Sequence, residues 1–127
     1  MIDWETMAFR RVDKTWGREL WLVNTDLYCA KILEVEHSKG GSYHEHRVKD
    51  ETFIVLQGSI ILIVGTGGYW ARAIRLDEGD RRRLHRGVPH LVIGLSRRTA
   101  RILEISTQHN DTDVIRHWRL NREHSQR

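Results

Sequence analysis

From residue 20 to residue 106 the sequence is a succession of short apolar runs, each ended by a turn before it is long enough to make a helix. The runs fall at 20–23, 27–36, 52–56, 60–64, 69–76, 83–85, 90–95 and 100–106. The breaks between them are rich in Gly, Asn and Asp: Asn24-Thr25-Asp26, Lys39-Gly40-Gly41, Gln57-Gly58-Ser59, Thr66-Gly67-Gly68, Asp77-Glu78-Gly79-Asp80 and Gly87-Val88-Pro89. Such residues supply tight turns and positive φ angles, so the pattern reads as strands joined by turns. The runs at 52–56 and 60–64 read as a hairpin closed by Gly58. Alternation across 69–76 predicts one buried face. About eight or nine short strands and no long amphipathic helix mean an all-β sandwich or barrel. Residues 111–122 hold the one possible helix, with Asp111 as N-cap and Val114, Ile115 and Trp118 at helical spacing. An extended tail fits the same residues equally well. Residues 1–15 are polar with isolated Trp4, Met7 and Phe9, and predict an arm or an edge strand.

A chain of 127 residues is long enough for one independent core. No apolar run approaches membrane-spanning length, and residues 1–10 carry no signal-peptide pattern. One cysteine, Cys29, cannot make an internal disulfide, which favours a reducing, cytoplasmic setting and a buried packing role for the thiol. The net charge of +4 raises the question of nucleic acid. Its arginines cluster at Arg81-Arg82-Arg83, Arg86, Arg97-Arg98 and Arg101 without any zinc-finger, helix-turn-helix or RNA-binding pattern beside them. Solvated loops explain them first, and an arginine-lined mouth for a small anion second. Neither nucleic acid nor membrane is expected as a partner.

The chemistry concentrates in residues 44–58. His44 and His46 are two apart, so on an extended strand both imidazoles point to one side. Glu51 follows a polar break, 47–50, which would let the chain turn and bring a carboxylate back beside them as a hairpin. Two nitrogens and an oxygen are three ligands for a divalent transition metal. His90, after Gly87-Val88-Pro89, is the best candidate for a fourth.

These residues carry a resemblance. His44-x-His46, four residues, Glu51, six residues, Gly58 resembles the first motif of the cupin superfamily, and Gly79-Asp80 … Gly87-Val88-Pro89-His90 resembles the second. Ser38, His85 and Gly94 stand where those motifs usually have glycine, proline and asparagine; no ligand position is lost. The resemblance spans residues 16–108. It implies a double-stranded β-helix jelly-roll barrel, one domain over 1–127 with an arm at 1–15 and a tail at 109–127. It also implies a metal (Zn, Mn, Fe or Ni) on His44, His46, Glu51 and His90, and a homodimer. A narrower resemblance links Thr15-Trp16-Gly17-Arg18-Glu19, and the segment from Glu104 to Arg116, to the mannose-6-phosphate isomerase-like cupin domains.

That narrower likeness implies isomerisation of a sugar or sugar phosphate, with the metal polarising a carbonyl and a nearby base moving a proton. Glu104, Lys31 and Tyr43 are the candidates for proton transfer, and Arg82 or Arg116 for binding a phosphate. Glu104 stands out because it interrupts the apolar run Ile102-Leu103-Glu104-Ile105, where an inward charge is costly unless paired. The same four ligands would serve an iron-dependent dioxygenase, or a cupin that captures a small carbohydrate or anion without turnover.

Overall fold

The computed structural model describes residues 1–67 and 70–120. Among these residues a single helical turn, α1 (Trp4–Met7), precedes eleven strands. They are β1 (Arg10–Lys14), β2 (Gly17–Asn24), β3 (Cys29–Val35), β4 (Ser42–Glu45), β5 (Glu51–Gln57) and β6 (Ile60–Gly67). After these come β7 (Trp70–Leu76), β8 (Arg81–Leu84), β9 (His90–Gly94), β10 (Ala100–Ser106) and β11 (Ile115–Arg119). They form two antiparallel sheets, ordered β1-β2-β3-β10-β5-β8 and β11-β4-β9-β6-β7. Among the described residues no helix is long and apolar enough to cross a membrane.

The topology explains why local patterning misplaced two connections. β5 and β6, read from sequence as a hairpin, do not pair: β5 lies between β10 and β8, and β6 between β9 and β7. Gly58, at φ 72°, turns a corner from one sheet to the other. Likewise β4 and β5 are not a hairpin, so Glu51 meets the histidines from the opposite sheet. The possible helix at 111–122 gives way to a turn at 111–113 and then to the extended strand β11 (Ile115–Arg119) on β4; residues 121 and 122 lie outside the described residues. In β7 only Ile74 and Leu76 are covered, because it is a sheet edge. The N-terminal segment supplies an edge strand, β1, so the sheets reach beyond 16–108 at both ends.

The inward-facing residues sort into two layers. Val35, Val55, Ala100 and Ile102 belong to one apolar cluster with Leu33, Phe53, Ile60, Leu62, Val64, Leu76 and Leu84. Burying each large member of such a cluster contributes roughly 1.5–3 kcal/mol. One step along the same strands the interior turns polar: Lys31, Glu51, His90, Glu104 and Ser106 are all buried. Register makes this happen on neighbouring strands together, since Ile102 faces Val55 while Glu104 faces Lys31 and Ser106 faces Glu51. One end of the interior is therefore a core, and the other is a polar cavity of about 590 Å³.

The β1–β2 turn, Lys14 to Gly17, closes that cavity's rim, with Trp16 packed on the core. Gly17 has φ 147°, and a Cβ there would lie 1.8 Å from the Glu34 carbonyl oxygen. This accounts for the glycine of the Trp16-Gly17 pair in backbone terms. Gly17→Ala should cost about 3 kcal/mol or more, from positive-φ strain and the clash with β3. Chemical denaturation measures it; a change within about 0.5 kcal/mol, the spread of ordinary surface substitutions, would contradict the account.

Candidate metal centre

His44 lies on β4 and His46 just beyond its end, both turned inward by the two-residue period. His90 opens β9 and is the register partner of His44. The three rings gather with centroids 5.0 Å (His44–His46), 4.6 Å (His44–His90) and 5.9 Å (His46–His90) apart. One nitrogen from each falls within 4.8 Å of the others, a spacing that could hold a metal ion. Glu51, the first residue of β5, faces them from the other sheet. Its Oε2 is 3.4 Å from His46 Nε2, and its Oε1 is 3.4 Å from His90 Nε2.

Backbone carbonyls decide which nitrogen is available. The Nδ1 atoms of His44, His46 and His90 lie 2.8, 2.5 and 2.9 Å from the carbonyl oxygens of Ser42, Asp113 and Val88. A carbonyl can only accept, so each Nδ1 carries the proton and donates it, leaving the Nε2 lone pair for a metal. The fit to an ion also shows in what is unmet: His90 Nε2 and Glu51 Oε2 are buried without a hydrogen-bond partner among the described residues. A divalent cation would satisfy both. Burial, then the neighbouring His90 charge, pushes the His44 pKa down to about 3, so its imidazole stays neutral. Burial also works against a charge on His90, but Glu51 outweighs it and raises that pKa, so a proton competes with a metal for the same lone pair. Three imidazoles and a carboxylate suit zinc, manganese, iron or nickel alike.

Beyond the cluster, Glu104 does face inward. It is buried and pairs with the equally buried Lys49, Nζ to Oε2 2.5 Å. Burial opposes the carboxylate's charge, yet Lys49 and Lys31 more than offset it and hold Glu104 below the usual carboxylate range. Lys49 Nζ also lies 3.2 Å from His109 Nδ1, whose Nε2 is 2.8 Å from Asp111 Oδ1.

The other sequence candidates divide. Arg116 lines the cavity. Lys31 is buried against two lining residues, 4.0 Å from the Trp21 ring centroid and 3.6 Å from Glu19 Oε1, but does not itself line the cavity. Tyr43 is a correction: as the neighbour of His44 it points to the outer face and stacks on Trp118 at 5.3 Å. Arg82 is another, since it lines a separate, smaller pocket with Arg72, His85 and Val88. Lys49, in the polar break 47–50, together with His109 and Asp113, belongs to the site without being a candidate from sequence. Two-residue counting from Glu51 was the signal available for Lys49.

Asp113 holds the ligand-bearing loop. Its carboxylate accepts from the backbone N–H groups of Arg47 (2.9 Å), Val48 (3.2 Å) and Lys49 (3.0 Å), while its carbonyl takes the His46 proton. Burial alone would raise the Asp113 pKa, but these donors lower it.

No family model and no curated protein sequence matches this chain. Solved structures do. The capsular polysaccharide assembling protein CapF from Staphylococcus aureus superposes with a TM-score of 0.75 at 13% identity, over 84% of this chain and 33% of that one. Oxalate decarboxylase from Bacillus subtilis gives 0.75 at 15% identity, over 88% and 30%. KdgF from Halomonas sp. gives 0.69 at 18% identity, over 81% and 90%. The chain thus spans about a third of the first two and most of the third. Its fold is that of the cupins.

Asp113→Ala should weaken metal binding by about 10- to 100-fold, the usual effect of removing a group that orients a ligand. Asp113→Asn, which keeps one acceptor oxygen, should fall between. Competition against a chromophoric chelator reads this directly, and equal affinities for all three proteins would refute it.

Proposed function

We propose that this chain is a metal-dependent cupin enzyme that isomerises a small sugar or sugar phosphate. The observation that carries the reading is the Lys49–Glu104 pair, set in the same cavity as the four prospective ligands. Glu104 is close enough to His90 to act on its charge. A fully buried ion pair is weak evidence for stability, because desolvating two charges cancels much of their attraction. Its position beside a polar cavity suggests use instead.

A divalent ion held by His44, His46, His90 and Glu51 would supply Lewis acidity toward a substrate carbonyl. The chain's own groups do the rest. Glu104 takes the proton from the carbon next to that carbonyl and returns it to the carbonyl carbon. The proton that Lys49 gives to the carbonyl oxygen is made good by the neighbouring hydroxyl as it becomes the new carbonyl. Lys49 holds it as a carboxylate and is the donor for the oxygen side, so the two opposite roles fall to adjacent groups. Trp16, Trp21 and Phe53 give the cavity apolar walls against which a sugar ring can lie.

Purified without a histidine tag, the protein should carry close to one equivalent of metal, and His46→Ala should lose it; elemental analysis measures both. Incubated with a panel of sugar phosphates in deuterated water, it should exchange carbon-bound protons. Glu104→Gln should slow that exchange by about 10²- to 10⁴-fold while keeping the metal. Glu104→Asp serves as a second variant where the amide destabilises Lys49. Iron accompanied by oxygen uptake would instead identify a dioxygenase. Metal without exchange on any sugar would leave a binding protein.

A further inference from the structure

The register of β11 puts two arginines where a regular strand would put one. Arg116 and Arg119 are three residues apart, and uninterrupted alternation would send them to opposite faces. The β4–β11 ladder shifts between Arg116 and Trp118: Arg116 is opposite His44, Trp118 opposite Tyr43 and Arg119 opposite Ser42. His117 is the extra residue of this bulge. Its Nε2 lies 2.9 Å from Glu45 Oε1, and Trp118 stacks on Tyr43, so both turn to the outer face. Arg116 and Arg119 flank them and line the cavity beside Ser42 and His44.

Charge around the cavity leaves this pair without an ion pair among the described residues, as it does Arg10 and Lys14 at the same lining. Each carboxylate of its lining already faces a cationic or imidazole partner. Asp13 has Arg11 at 2.9 Å, Glu19 has Lys31 at 3.6 Å, Glu104 has Lys49 at 2.5 Å, Asp111 has His109 at 2.8 Å, and Glu51 has His46 and His90. Arg116 and Arg119 make no ion pair and no side-chain hydrogen bond among the described residues. Both are exposed at the rim rather than buried in the wall. Arg10, over the Trp21 ring at 4.6 Å, adds a third guanidinium to the lining.

We propose that Arg116 and Arg119 form an oxyanion subsite at the cavity mouth, for a phosphate or carboxylate group on the substrate. Two guanidinium forks on one strand offer paired N–H donors to a single oxyanion, a geometry that a lysine cannot reproduce. The subsite names the charged end of the substrate, and in that respect rests on the reading of the cavity as an active site. Its binding test does not depend on turnover. The substrate's reactive end would then lie toward His44, and its charged end toward solvent.

Calorimetric titration of the full-length protein with inorganic phosphate, and separately with malonate, tests this. At low ionic strength the wild type should bind at least one of the two, and the tighter one names the group. Arg116→Gln/Arg119→Gln should weaken that binding tenfold or more. Arg116→Lys/Arg119→Lys should give a smaller loss, and Arg97→Gln/Arg98→Gln, on a remote exposed loop, should give none. Near-UV circular dichroism confirms that each variant is folded. The same titrations on His46→Ala separate the two readings. Arginine-dependent binding that persists without the metal ligand upholds the subsite even if no isomerase activity is found. Failure of both anions to bind the wild type would overturn the proposal. So would unchanged affinity in the double Gln variant, or an equal loss in the Arg97/Arg98 control.

Discussion

Glu51 is a buried carboxylate facing two imidazoles across the interior, and the arrangement of the polar end follows from it. A bare carboxylate with so little solvent is expensive unless positive charge answers it. Protonated histidine is one answer, and it raises the His90 pKa. A divalent ion is a better one, because it would also engage His90 Nε2 and Glu51 Oε2, which otherwise lack hydrogen-bond partners. Because Glu51 comes from one sheet and the histidines from the other, this interaction spans the gap that elsewhere is filled by Val55, Leu62 and Ile102.

The two ends of the interior are kept together by the same strands. β5 contributes Glu51 to the cavity and Val55 to the core; β10 contributes Glu104 and Ile102. Whatever stability the polar residues cost is offset one turn of the pleat away by apolar burial on the same backbone. That continuity also fixes the geometry of the site, since the ligands sit at strand starts and ends rather than on free loops. The exception is His46, and it is there that Asp113 intervenes.

Sequence reading recovered what depends on short-range spacing. His44 and His46 share a face because side chains alternate, and Glu51 and His90 were found by their place in two short motifs. Alternation also held the answer for Tyr43: a residue next to an inward histidine must face out. What spacing does not contain is the partner of each strand. The run on either side of Gly58 looks like a hairpin by every local criterion, and only the two-sheet arrangement separates it. The segment after residue 110 was ambiguous because Val114, Ile115 and Trp118 fit a helical stripe, while a bulged strand places them just as well. Lys49 and Asp113 were missed because the groups they engage, Glu104 and His109 for Lys49 and residues 46–49 for Asp113, lie far away along the chain.

Asp113 has a consequence for when the site comes into being. The proton of His46 is received by a carbonyl 67 positions later, and His90 stands between them in sequence. A chain released as far as His90 would hold all four prospective ligands and still lack the group that orients one of them. Capture of an ion with full affinity therefore belongs to the finished polypeptide. Occupancy becomes a readout of whether the last strand has docked, and an ion bound there would in turn hold that strand in place.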